Sequence, residues 1–279
     1  MLLNSGNPDP VLAEAKCLKP TVRGKGENIL SPAKKIGKKA LLASYRTFMR
    51  LFGSFADRKY LDPKVPVSKL VGHNNYMQYL ANIGNHKGVK ILEIGSREVT
   101  GKSDARERFS NADYVGFDFY PGPNVDVVGD AHRLSSYFDK QKFDIIYSSA
   151  VFEHFAMPWV VAIEIAKLLK TGGIVFIETH FSYGSHERPW HFFQFSDMAL
   201  RVLFSPALGF ECIEAGVSNP LVGRFSALAD DYLKFMPVTG LYCHSEFLGR
   251  KTKDVDEFGW NDVHLDEVVG GTKYPLPRR

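Results

Sequence analysis

The sequence predicts an α/β fold with a doubly wound, mainly parallel sheet, and three observations predict it. Lys90-Ile91-Leu92-Glu93-Ile94 is a short apolar strand that ends beside Gly95 and Ser96. A charged stretch with Gly101 follows, and a helical pattern starts near Ser103. A glycine at that turn lets backbone approach a ligand that a side chain would block. From Val89 onward, strand-like and helix-like segments alternate at short intervals, the pattern of parallel strands joined by right-handed crossovers. Acids and small residues then recur at strand ends: Glu93, Asp118, Asp130 and Ser148-Ser149. Ligands of such sheets sit beyond the carboxyl ends of the strands. The dinucleotide fingerprint G-x-G-x-x-G is absent, because Arg97 stands at its second glycine.

With 279 residues, 44% hydrophobic and 24% charged, the chain has material for one large domain with appendages. Cys17, Cys212 and Cys243 are far apart and show no metal-ligand spacing, so they read as reduced thiols of a cytoplasmic protein. No apolar run reaches the roughly 18 residues of a membrane helix, and the N-terminus does not read as a signal peptide. Charge is uneven. Residues 1–60 hold 12 Lys and Arg against 4 Asp and Glu, whereas the remainder holds 23 against 27. The domain proper is therefore acidic and lacks a basic stripe for nucleic acid.

Taken in order, residues 1–31 carry Pro8, Pro10, Pro20, Gly24 and Gly26 and read as irregular. Ser31 caps a helix whose first residue is Pro32 and which stops near Gly53. Leu41, Tyr45, Phe48 and Phe52 form its apolar stripe, with Lys35, Lys39, Arg46 and Arg50 off that line. Two readings stay open: a stripe packed on its own domain, or a peripheral contact with an anionic membrane or glycolipid surface. We divide the chain into a basic arm (1–60), a domain (61–253) and an acidic tail (254–279). A second helix is expected over Ser68–Ile83. Strands are expected at Tyr114–Phe119, Val125–Val128, Phe143–Ser148, Ile174–Thr179, Phe210–Gly216 and Leu241–Leu248. Helices are expected at Pro158–Lys170, closed by a Thr171-Gly172-Gly173 turn, and from Ser196 to about Phe204. The segment Asn219–Gly240 is either a lid or a pair of covering helices. The tail carries Asp254, Asp256, Glu257, Asp262, Asp266 and Glu267, fits no metal-binding loop and reads as solvated; no metal site is expected in the chain.

The segments ILEIGS, YVGFDFYPGPNVDVVGDAH, FDIIYSSAVFEH and LLKTGGIVFIET resemble class I S-adenosylmethionine-dependent methyltransferases, in the subgroup like methyltransferase type 11. The resemblance covers about residues 75–250. It implies a Rossmann-like, seven-stranded domain with S-adenosylmethionine as cofactor. By position, it implies that Glu93, Gly95 and Ser96 hold the methionine part, with Arg97 offering a cation for its carboxylate. Asp118 and Phe119 would bind ribose, Asp130 and Ala131 would contact adenine, and Ser149 and Ala150 would flank the methionyl end. Members often carry a Pro-Trp run like Pro189-Trp190 that helps build the acceptor pocket.

In such a transfer the electrophile is already activated, so the protein mainly aligns nucleophile, methyl and sulfur. An alcohol acceptor also needs a base. Candidates cluster at Glu153-His154, after the fourth strand, and at His180–Phe195, after the fifth. Three histidines, Tyr183 and Trp190 in one loop at the ligand-bearing edge are more than a connection requires. The candidate bases are His191, His154 and His186, in that order, then His180. Glu153, His180, Tyr183, Trp190 and Arg224 are candidate acceptor-binding residues. Each histidine has an alternative role in packing or in bonding backbone. The expected activity is O-methylation of a small polar acceptor, such as a sugar of a surface glycan, in polysaccharide biosynthesis. N-methylation of an amine and cofactor binding without turnover are the alternatives.

Overall fold

The structure is a computed structural model that describes residues 32–269 except 63, 140 and 256, without the side chains of residues 32–40. The expectations for residues 1–31, with Cys17 and the Ser31 cap, and for residues 270–279 lie outside the described residues. Helix α1 (Pro32–Asp57) contains the boundary between two compact units, at Ser54 and Phe55. It does not stop at Gly53 but continues for another turn. Glycine costs about 1 kcal/mol inside a helix, which a long helix tolerates.

The domain follows in chain order. Helix α2 (Tyr76–Gly84) leads into β1 (Lys90–Ile94), α3 (Ala105–Arg108), β2 (Asp113–Asp118), β3 (Val127–Val128) and β4 (Phe143–Ser149). Helix α4 (Pro158–Leu168), β5 (Leu169–His180), α5 (Asp197–Leu203) and β6 (Phe210–Pro220) come next. A short ribbon, β7 (Gly223–Arg224) and β8 (Pro237–Val238), precedes β9 (Tyr242–Lys251) and α6 (Leu265–Val269). The main sheet has the order β3-β2-β1-β4-β5-β9-β6. Only β9 is antiparallel to its neighbours. This is the expected Rossmann-like sheet of seven strands. Strand order reverses between β1 and β4, so their carboxyl ends border the crevice where such sheets bind ligands.

Alternate residues fill two cores. Leu92, Ile94, Phe117, Ile146 and Ile177 face α4 and α5, while Ile91, Tyr147, Phe176 and Leu248 face α2. Four expectations change. The second helix starts at Tyr76 rather than Ser68, and the amides of Lys69, Leu70 and Val71 donate to the Glu214 carboxylate at 2.9, 2.9 and 3.1 Å. Val67 also bridges Val217 and Ser68 N donates to Val217 O at 3.0 Å, so the segment is laid along β6 before it turns into the helix. Thr171-Gly172-Gly173 is no helix terminus. Leu169 already pairs with Phe143, and Gly172, at φ +86°, kinks the strand within β5. The covering helix pair is absent from 219–240, where the β7–β8 ribbon stands instead. The tail is not wholly solvated: Lys251 pairs with Asp254 at 2.6 Å, and the Trp260 indole donates to Trp159 O at 3.3 Å.

The β5–β9 ladder sets Glu178 directly across from Glu246, and both are buried. Glu246 accepts from Ser68 Oγ at 2.8 Å and from Ser218 Oγ. Burial, with the Glu178 charge adding, pushes its carboxyl up to about 7. An acid whose folded pKa is raised stabilises the fold below its unfolded value, and that contribution is lost as pH rises toward the folded one. The window here is about pH 4.5 to 7. Glu246→Gln is therefore expected to match wild type near pH 4 and to exceed it by about 2–3 kcal/mol at pH 8, read by urea unfolding across that range.

Candidate active site

The first turn is built by steric exclusion. Gly95 has φ +85°, and a Cβ on it would lie 2.1 Å from Val151 Cγ2. The amides of Gly95 and Ser96 donate to Phe117 O at 2.8 and 3.1 Å, which hooks the turn onto the end of β2. Ser96 Oγ is buried there without a hydrogen-bond partner. Glu93 shares the sheet face of Ile91 and accepts from Tyr114 Oη, and burial raises its carboxyl above the usual range.

Arg97 is neither free in solvent nor an unengaged cation. Its amide and its Nε both donate to Asp118 at 3.3 Å, and its guanidinium lies over Tyr120. Tyr120 N donates to Asp118 Oδ1 at 2.9 Å. Asp118 thus stands at the end of β2 as a carboxylate already receiving three N–H groups. Phe119 beside it is exposed, edge-on to Tyr120. Partial burial would raise the Asp130 carboxyl, but bonds from the His132 amide and ring outweigh it and hold it low. Ala131 is buried next to it. After β4, Ser149 Oγ donates to Glu178 Oε1 at 2.8 Å, and Ala150, at φ +54°, donates its amide to Glu178 O at 3.0 Å.

The loop after β5 is closed at its base by Phe195 N donating to His180 O at 2.9 Å. The backbone of Glu153 accepts from Phe192 N and Phe193 N at 2.9 and 3.2 Å, so the loop is pinned to the turn that follows β4. The Glu153 side chain is fully buried and accepts from Thr179 Oγ1 at 2.6 Å. Its Oε1 lies 2.7 Å from His180 Nδ1 in an off-line ion pair, so neither atom has a directed hydrogen bond. Burial would raise the Glu153 carboxyl; His180 and Thr179 outweigh it and lower it.

Around this carboxylate the histidine rings converge. His186 lies 5.2, 5.0 and 4.6 Å from His180, His154 and His191, centroid to centroid. Tyr183 stacks on His180 at 4.5 Å. His154 Nδ1 donates to Trp190 O at 2.7 Å, which leaves Nε2 as the lone-pair nitrogen, 3.9 Å from Glu153 Oε1. His191 is held differently: its Nδ1 accepts from His186 N at 3.4 Å, and its buried Nε2 has no partner. Burial and the neighbouring imidazoles lower its basicity. Arg224 stays in the ribbon, over the Phe235 ring and against Phe225 O.

Residues not singled out in the sequence extend the cluster. His244 lies 5.7 Å from His180 and stacks at 4.3 Å on His73, whose Nδ1 bonds Glu178 at 2.9 Å. The polar residues of FIETH and YCHSEF mark Glu178 and the two strand ends at this edge, whereas nothing local marks His73. Strands of a covered sheet read as nearly continuous apolar runs, so the polar interruptions mark where the sheet borders something other than core.

The residues fit a nucleoside cofactor. An unpartnered buried hydroxyl at Ser96, a turn that admits no side chain, and carboxylates after β2 and β3 border one crevice. Residues 71–177 match the family model of a methyltransferase domain. No curated protein matches the chain. Among solved structures, the chain is similar to an S-adenosylmethionine-dependent methyltransferase from Archaeoglobus fulgidus, at 12% identity and TM-score 0.43, covering 72% of this chain and 100% of that one. It is also similar to the 1,6-didemethyltoxoflavin-N1-methyltransferase of Burkholderia thailandensis with bound S-adenosylhomocysteine, at 13% identity and TM-score 0.43, covering 81% and 92%.

Glu153 Oε2 depends on one hydroxyl. Thr179→Val keeps shape and removes that donor, so it is expected to cost about 1–3 kcal/mol of stability, read as a lower urea midpoint at unchanged slope.

Proposed function

We propose that the chain is a class I S-adenosylmethionine-dependent methyltransferase, as the match of residues 71–177 to a methyltransferase domain supports, and that it transfers the methyl group to an oxygen of a small polar acceptor, such as a sugar of a surface glycan. The observation that carries the oxygen reading is the group of imidazoles around Glu153 at the carboxyl edge of β4 and β5. A hydroxyl must lose a proton during transfer, whereas an amine acceptor asks mainly for carbonyl or carboxylate acceptors around it.

Bound S-adenosylmethionine supplies a methyl already activated on a sulfonium. The residues hold and orient. Asp118 accepts from the ribose hydroxyls once the Arg97 guanidinium yields its place, while Tyr120 N and Arg97 N keep the carboxylate aimed. Asp130 and Ala131 border the adenine, Gly95 and Ser96 the methionyl part, and Ser149 and Ala150 the methyl end. Glu93 supports the first turn from the opposite face through Tyr114.

For the base, tautomer geometry favours His154 over His191. His154 has Nδ1–H anchored on a backbone carbonyl, a free Nε2, and the buried Glu153 carboxylate at hand to stabilise the imidazolium. His191 carries its lone pair on the nitrogen that already accepts from His186. Tyr183 and Trp190, both exposed at the loop, offer flat faces to an acceptor ring.

Two measurements test the reading. Asp118→Ala is expected to weaken S-adenosylhomocysteine by about 2 kcal/mol in calorimetry, with the fold retained. His154→Ala is expected to lower turnover on a glycan-fragment panel, followed by mass spectrometry, by roughly 10²–10⁴-fold while cofactor affinity holds. If the panel gives no product and amines do, nitrogen is the acceptor.

A further inference from the structure

Six of the nine histidines, His73, His154, His180, His186, His191 and His244, gather at one end of the sheet with two buried glutamates. So many imidazoles beside fully buried carboxylates exceed what a single proton transfer uses. We propose that Glu153, His180 and His186 bind a divalent transition-metal ion of the zinc class. One ligand atom from each of these three side chains lies within 4.8 Å of the other two. Bond lengths of about 2.0–2.2 Å put the ligands of a tetrahedral zinc roughly 3.4 Å apart, so small side-chain rotations gather the set.

Three features prepare the donors. Glu153 is fully buried and His180 is 8% exposed, yet Glu153 Oε1 and His180 Nδ1 have no directed hydrogen bond although they are 2.7 Å apart. At 2.7 Å these two atoms hold a proton between them off line, and a metal ion would take that proton's place between the same two lone pairs. The other carboxylate oxygen is fixed by Thr179 Oγ1 at 2.6 Å, the kind of outer partner that orients a metal-bound carboxylate. His186 bonds Gly184 O through Nδ1 at 2.9 Å, which leaves Nε2 as its donor. Tyr183, stacked on His180, fixes that ring's plane.

Two imidazoles and one carboxylate suit zinc and its neighbours, whereas magnesium and calcium call for oxygen shells. Three protein ligands leave one position open, as in zinc sites that act on a bound water or hydroxyl. His154 Nε2 stands beside the set, 3.9 Å from Glu153 Oε1. The signal is absent from local spacing because the ligands come from three segments, the turn after β4, the end of β5 and the loop beyond it. Two further triads, His73-Glu178-His244 and His180-Cys243-His244, lie nearby. In them the imidazoles already have partners: His73 bonds Glu178, and His244 bonds Asn219 and contacts Cys243 Sγ.

The inference stands apart from the acceptor reading, since its readout is binding and spectra rather than turnover. Full-length, untagged protein is stripped with a chelator and titrated with zinc against a chromophoric competitor, then with cobalt to record d–d absorption. One equivalent of zinc and an intense tetrahedral cobalt band are expected, with magnesium unable to compete. His186→Ala, in an exposed loop and checked for fold by circular dichroism, is expected to weaken zinc on the order of 100-fold, at least the loss typical of an outer-shell partner. His73→Ala is expected to bind as wild type does. Absence of stoichiometric zinc, equal affinity in His186→Ala, or loss confined to His73→Ala would each overturn the assignment.

Discussion

The burial of the Glu153 carboxylate is the constraint on which the site depends. A charge taken fully out of water is costly unless it is paired and bonded. The fold meets that demand from the end of β5, with Thr179 and His180 on the carboxylate, while the loop amides of Phe192 and Phe193 hold the same residue's backbone carbonyl. The turn after β4 and the loop after β5 are thereby one object. The loop that covers the edge is held by these backbone bonds and by Phe193 and Phe195, which pack into the core.

The sheet was legible in the sequence because its signals are local. Apolar runs, glycine at the first turn and acids at strand ends need no knowledge of distant partners. The misread elements all failed for tertiary reasons. Ser68–Asn75 carries a helical pattern, but Val67 and Ser68 pair with Val217 of β6 and the amides of Lys69, Leu70 and Val71 gather on Glu214. Thr171-Gly172-Gly173 has the chemistry of a helix end, yet strand pairing claims it because Leu169 already faces Phe143.

The site shows the same division. That Gly95, Ser96, Asp118 and Asp130 stand at strand ends was readable from position, and so was the concentration of histidines between His180 and His191. The pairing of Arg97 with Asp118 was not, because the two residues are 21 apart in sequence and meet only where β1 and β2 lie side by side. His73 and His244 escaped notice for the same reason. His73 is unremarkable in its own segment, and its stacking on His244 joins residues 171 apart in sequence.

Lys251 is 2% exposed, and its ammonium donates to Ala166 O and Leu169 O as well as to Asp254. Those two carbonyls belong to the junction where α4 passes into β5 without an intervening loop. The junction in the middle of the chain is therefore completed by a residue more than 80 positions later. A chain growing from its N-terminus carries this helix end with open carbonyls until its last strand has been made and laid between β5 and β6. The order of synthesis thus runs against the order of closure: the centre of the sheet can be in place while the helix beside it still waits for its cap.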